Sequence, residues 1–331
     1  MKVSPAASDL LSADQIAALR TRSDAWGLGL VAHAWGVIAL AITIATAWPG
    51  PVTVLLAIAV IGSRQLGLLI LMHDAAHGML ARTPALNRLL GQVFCAWPTL
   101  ADTWVYRRYH LQHHAHTQQP GDPDLALTGH YPITRRSLYR KFLRDLTGQT
   151  GFAQRRAQFA AALGPASLGM AARARRFAQQ LGPQCAANVV LCALMTHFGH
   201  WYTYPLLWLL PLLTWQQWVL RIRNIAEHAC VTPGDGFGNA RTTLANWLER
   251  AFIAPYWVNY HLEHHLLMWV PCYRLPALHQ ALREQHPSKP LLVRRGYLAV
   301  LADVTTVGGD GDGPRKVRAV GTFSAGYNAG A

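Results

Sequence analysis

The chain is poor in charge. Only 14% of its 331 residues are Asp, Glu, Lys or Arg, where a soluble domain averages about 25%. Half the residues are hydrophobic and twelve are tryptophan, so the composition points to a membrane protein. What charge there is runs one way: 30 basic residues against 16 acidic give a formal +14. No nucleic-acid motif accompanies that excess. The basic residues gather between apolar runs, as at Arg135, Arg136, Arg140, Lys141, Arg155 and Arg156, which is the pattern of cytoplasmic loops. Cysteine is scarce too. Cys95, Cys185, Cys192, Cys230 and Cys272 form no Cys-x-x-Cys pair, which argues against a disulfide framework or a zinc ribbon. The first 25 residues lack the basic start and apolar core of a cleavable signal, and no internal repeat is found.

Long apolar runs lie at about 27–48 and 51–72, split by Trp48-Pro49-Gly50-Pro51, and at about 185–201 and 204–220, split near Tyr202 and Thr203. About twenty helical residues cross a bilayer. The expectation is an all-α integral membrane fold of about four transmembrane helices with a cytosolic helical cap. Residues 1–25 are expected as a cytosolic arm with Ser12 capping a short helix, 26–302 as the membrane domain, and the Gly- and Asp-rich 303–331 as a disordered tail. The apolar stretch 87–100 is short for a span and is expected at the interface or as a re-entrant segment. Arg64 interrupts the second run. A charge there is costly, so it either faces the protein interior or snorkels to the interface. Arg221 and Arg223 close the last run, which places both termini and the segments between the hairpins in the cytoplasm, with a bacterial inner membrane as the expected location.

Histidine is abundant where charge is not, with sixteen in the chain. Half of them cluster in three boxes: His73-Asp74-Ala75-Ala76-His77, His110-Leu111-Gln112-His113-His114 and His261-Leu262-Glu263-His264-His265. Helical residues three or four apart share a face, so each box presents imidazoles along one stripe. Imidazole suits zinc, copper, iron and nickel. Eight stripe histidines exceed the four ligands of a tetrahedral zinc and fit two metals of five or six positions each. Asp74 and Glu263 lie inside boxes, where a carboxylate supports a ligating imidazole through its other N–H. His33, His116, His130, His197, His200, His279 and His286 fall off these stripes and are expected to be structural or surface residues.

The wording HDAAH, HLQHH and NYHLEHH resembles the membrane fatty acid desaturase–hydroxylase superfamily over roughly residues 25–290. The resemblance implies two irons, O2 as co-substrate and external electrons, with the boxes on the cytosolic side. It also implies a ninth ligand, His228, in the setting Asn224-Ile225-Ala226-Glu227-His228, with Asn224 reaching a metal through water and Glu227 as a third supporting carboxylate. No Glu-x-x-His pair occurs, unlike soluble di-iron bundles, so the irons are expected to sit among neutral nitrogen donors.

The implied activity is desaturation of a fatty-acyl lipid. Hydroxylation or ketolation of a carotenoid or other lipid, and decarboxylation to an alkene, are alternatives within the superfamily; a membrane metal carrier is the non-enzymatic one. No haem, ferredoxin-like or dinucleotide-binding segment is visible, so a separate electron donor, ferredoxin-like or similar, is expected.

Overall fold

A computed structural model gives the fold, described for residues 5–231, 236–286 and 291–306. It is mostly helical. Helix α1 (Asp24–Ala47) starts at Ser23, whose hydroxyl accepts from the Trp26 N–H at 3.3 Å. Helix α2 (Pro51–His77) carries Pro51 in its first turn, where the missing N–H costs nothing. It ends at Gly78 with φ 78°, a left-handed cap that glycine adopts without strain. These two helices pack as a hairpin. At 27 residues, α2 is about 40 Å long. A hydrocarbon core is about 30 Å, so α2 is longer than one crossing requires, and His73 and His77 lie at its C-terminal end.

Among the described residues, α1 and α2 alone are single helices long and apolar enough to cross a membrane. The expected third and fourth spans take another form. The run 185–201 belongs to a 28-residue helix (Met170–His197) whose first turns carry Arg173, Arg175 and Arg176 and which contains Pro183. The run 204–220 is divided into a π-helical turn (Pro205–Leu209), a short helix (Leu210–Leu213) and the start of another helix (Trp215–His228). Pro205 and Pro211 each remove a backbone donor, and the chain breaks at Thr214. The stretch 87–100 is likewise composite, an α-helix passing into π- and 3-10 turns that pack along α2.

The remaining helices position the chemistry. They are α3 (Thr103–His116), α4 (Arg135–Leu146), α5 (Gln149–Leu163), α6 (Met170–His197), α7 (Trp215–His228), α8 (Trp247–Phe252), α9 (His261–Leu266), α10 (Leu275–Gln285) and α11 (Tyr297–Asp303). Asp102 caps α3 by accepting from the Trp104 and Val105 N–H groups, both at 2.9 Å. The all-α expectation needs one amendment. Strand β1 (Ile133–Thr134) pairs in parallel with β4 (Thr305–Thr306), and β2 (Thr242–Leu244) with β3 (Val293–Arg295). These short ladders fasten the C-terminal segment to the cap. Ordered structure therefore continues past 303, where a tail was expected; residues 307–331 lie outside the described residues. The N-terminal segment is also more than an arm. Ser12 does cap a helix, accepting from the Gln15 N–H at 3.3 Å, and Leu10, Leu11 and Leu19 are buried in the common core.

Arg64 faces inward. It is 7% exposed, and its guanidinium donates to the Ala251 carbonyl. Three residues on, Gly67 lets the 255–257 segment close on α2, since a Cβ there would lie 2.7 Å from the Tyr256 ring.

Candidate metal centre

The nine histidines singled out in the sequence come together as two clusters. His73 and His77 from α2, His110 and His114 from α3 and His264 from α9 form one; His113 from α3, His228 from α7 and His261 and His265 from α9 form the other. Within each, the ligand-capable atoms lie within 4.8 Å of one another. Membership follows helix geometry rather than the boxes. Residues four apart on a helix are rotated by only about 40°, whereas adjacent ones differ by about 100°. Each i,i+4 pair (His73/His77, His110/His114, His261/His265) therefore enters one cluster, and His113 and His264 swing to the other.

Inside the clusters the Nε2 atoms converge. His73 and His110 approach to 2.9 Å, His110 and His114 to 2.8 Å, and His114 and His264 to 3.0 Å. In the second cluster His228 and His261 are 2.8 Å apart, and His261 and His265 3.0 Å. A neutral imidazole has one N–H, so such a group of rings cannot satisfy every nitrogen internally. The Nε2 of His77 is buried with no hydrogen-bond partner among the described residues. Burial pushes the pKa values of His110, His114, His261, His264 and His265 well below the usual range, and neighbouring histidines add to the effect. These rings thus present lone pairs to a common point. That donor set fits one metal ion in each cluster.

His113 is the exception. Burial alone lowers its pKa, but the Asp122 hydrogen bond and the charges of Asp124, Asp122 and Glu227 outweigh it and leave it raised. Its Nδ1–H donates to Asp122 at 2.8 Å, with Asp124 3.6 Å away. Asp122 is held in turn by the N–H groups of Gln118 and Asp124, both at 2.8 Å, and Tyr109 donates to Asp124. The other rings of this cluster have outer partners too. His228 Nδ1–H donates to the Asn239 carbonyl at 3.2 Å, His265 Nδ1 lies 3.4 Å from the Thr117 hydroxyl, and His261 Nδ1 lies 3.5 Å from Glu227. Such contacts fix the tautomer and the ring orientation.

The expected supporting carboxylates divide. Glu227 stands beside His261 while accepting from Arg223 at 2.5 Å. Asp74 is 3.6 Å from His73 Nδ1, and its hydrogen bond goes to the Cys272 N–H at 2.9 Å. Glu263 departs from expectation. It accepts from His279 at 2.5 Å and from the Thr242 hydroxyl, so it anchors α9 to α10 and β2 instead of orienting a cluster histidine. The reason is rotation again, since at about 100° per residue Glu263 falls on the face of α9 turned away from His261, His264 and His265. Asn224 is half-buried one turn before His228 on α7. Asp122 and Asp124 were missed in the sequence; their signal was a Gly-Asp-Pro-Asp turn following the second box.

Among the off-stripe histidines, His116 is exposed and bonds the Gln112 carbonyl at 3.2 Å. His279 is buried against Glu263.

Comparison with known proteins agrees with this geometry. Residues 45–297 match the model of the fatty acid desaturase family. Dihydrorhizobitoxine desaturase of Bradyrhizobium elkanii is 30% identical over 270 residues, which cover 78% of this chain and 75% of that protein. The chain belongs to the fatty acid desaturase family, and with it to the oxidoreductases.

Proposed function

We propose that the protein is a membrane-bound di-iron enzyme that uses O2 to desaturate a fatty-acyl lipid. The observation that carries this reading is the convergence of nine imidazoles into two adjacent clusters that share α3 and α9, in a chain whose family acts on lipids. Iron bound there supplies the oxidising chemistry: two hydrogens leave the substrate and, with two electrons and two protons from a donor, reduce O2 to two waters. The chain's own residues have three tasks. The histidines hold the metals, and we assign Asn224, one turn before His228, a contact through water. Asp122, Asp124, Glu227 and the Asn239 carbonyl keep the outer imidazole nitrogens oriented. Burial of the cluster excludes water, which protects a reactive site from side reactions.

Large apolar side chains exposed on the helices support a lipid setting. Leu40, Val52, Leu55, Leu56, Val189 and Val190 are each more than half exposed, which is unfavourable in water and suited to acyl chains. The last two lie on α6, so that helix also meets lipid. The clusters gather at the C-terminal end of α2 instead of along a path through the spans, which argues against a metal carrier. The relative's name points to dihydrorhizobitoxine rather than a fatty acid as its substrate, and this favours a second reading in which the substrate is some other amphiphile.

Expression in a bacterium lacking desaturases, with lipids profiled by mass spectrometry, tests the proposal. New double bonds and about two irons per purified chain are expected. Hydroxylated or ketolated products would transfer the assignment to those chemistries, and zinc that sustains activity after iron removal would defeat it. Cysteine labelling in intact cells tests orientation. A probe at Gly50 or at Trp201, which is 77% exposed, should react from outside, and one at Ala115 should not. Thr203 is 1% exposed and unsuited to the purpose.

A further inference from the structure

A second site lies away from the histidines. A cavity of about 590 Å³ opens between α1, α2 and the 247–257 stretch, within the ordinary size range of ligand pockets. None of the nine cluster histidines lines it. Leu30, Val37 and Val60 supply apolar wall, and Trp247, 70% exposed, stands at its rim. Arg64 forms part of the wall, nine residues before His73 on α2 and so about 13 Å below the clusters along that helix.

Arg64 is the unusual group. Its described partners are the Ala251 carbonyl and Tyr256, whose hydroxyl it bonds and whose ring centroid is 5.6 Å from the guanidinium carbon. Among the described residues it forms no ion pair. A guanidinium has five N–H donors and a full positive charge, and a carbonyl, a phenol hydroxyl and a ring face are all neutral, so the charge has no opposite among them. Burying a cation without a counter-charge is strongly unfavourable, and inside a membrane more so. The remaining polar groups of the cavity are not acids. Arg250 lies exposed on the lining, and the Tyr256 hydroxyl lies 3.1 Å from His33 Nδ1. When that nitrogen carries its proton, the phenol O–H is free to donate into the cavity. Cationic and donor groups therefore meet at an apolar-walled pocket with no anion of the chain's own.

We infer that this cavity binds one anionic group, a carboxylate or a phosphate, on a lipid-like ligand, with Arg64 as its counter-charge. Arg250 draws the anion toward the opening, and the apolar walls take the adjoining hydrocarbon. The assignment does not depend on whether the metal centre desaturates or hydroxylates.

Binding of radiolabelled oleate to the purified full-length protein in neutral detergent, read by scintillation proximity, tests it. Saturable binding is expected. Oleyl alcohol, which has the same chain without the charge, should compete about tenfold less well or worse, given what a hydrogen bond to a charged group contributes. Arg64→Gln should weaken oleate binding to a similar extent, and Arg64→Lys less. Dioleoylphosphatidylglycerol and dioleoylphosphatidylcholine separate the sources. Displacement by the first and not the second assigns the site to anionic headgroups of the bilayer; displacement by neither assigns it to free carboxylates. Equal competition by acid and alcohol on the unmodified protein overturns the inference even if Arg64→Gln fails to fold, as does a folded Arg64→Gln that binds oleate unchanged.

Discussion

The two histidine clusters use the same kind of ligand but are supported differently. In the cluster of His113, His228, His261 and His265, every ring has a group close to its outer nitrogen, and the Asp122–Asp124 turn is built around one of them. In the cluster of His73, His77, His110, His114 and His264, Asp74 approaches His73 at 3.6 Å, and among the described residues no other carboxylate pairs with a ring. The first arrangement orients its ligands before metal arrives. The second relies on the number of rings and on the packing of α2 against α3. Support and ligand count thus vary inversely, and each cluster has a separate point of weakness.

Removing a ligand should have the largest effect. Any one of the nine histidines changed to Ala is expected to reduce turnover to background, with iron per chain falling by at least one when measured by plasma mass spectrometry. His228→Ala is the informative member, because it lies outside the three boxes; normal iron and turnover in that variant would remove α7 from the centre. Asp122→Asn comes next. Loss of an outer partner typically costs about 10–100-fold in metal affinity or activity, and the iron lost should be that of the His113 cluster. Asp74→Asn is its counterpart in the other cluster. An amide oxygen still accepts from the Cys272 N–H, so a change within about threefold is expected, well short of the range for a true outer partner. If the two variants behave alike, the contrast between the clusters is wrong. His279→Ala should act on stability, not chemistry. It strips Glu263 of a buried partner, which costs about 1–3 kcal/mol, so the thermal midpoint should fall while iron stays near normal. His116→Ala should do least. Its ring is exposed, and turnover indistinguishable from the unmodified chain is expected; a large loss would mean that the second box reaches further than the clusters show.

The site was legible because its signal is local. Imidazoles three and four residues apart on a helix declare themselves in one dimension, and all nine meet in space. What the spacing did not show was which ring joins which cluster, because that depends on where the facing helices stand. Asp122 and Asp124 escaped for a related reason: a turn's geometry decides where its acids point, and a Gly-Asp-Pro-Asp turn has a structural explanation ready to hand. Glu263 misled because adjacency in sequence was read as adjacency to a ligand. In the fold, α1 and α2 follow from unbroken apolar runs. The later runs were harder, since Pro205 and Pro211 open short helical pieces inside a stretch that hydropathy alone would join, and the run 185–201 is only the later part of a helix that starts at Met170. The parallel pairings of β1 with β4 and β2 with β3 link residues far apart in the chain, and two- or three-residue strands carry no periodicity to read.

The division of ligands among distant helices bears on how the protein is made. His73 and His264 belong to one cluster but are separated by most of the chain, and the other cluster also waits for α9. A ribosome that has just delivered α1, α2 and α3 has produced five of the nine cluster imidazoles and no complete site. Until α9 docks, those rings have neither metal nor full burial. On the proposed metal reading, capture falls at the end of biogenesis and stabilises the finished fold over its precursors. A cell short of iron should then lose the protein itself, by degradation, before it accumulates an inactive form. A pulse-chase half-life that is unchanged under iron chelation would show instead that the helices close without the metal.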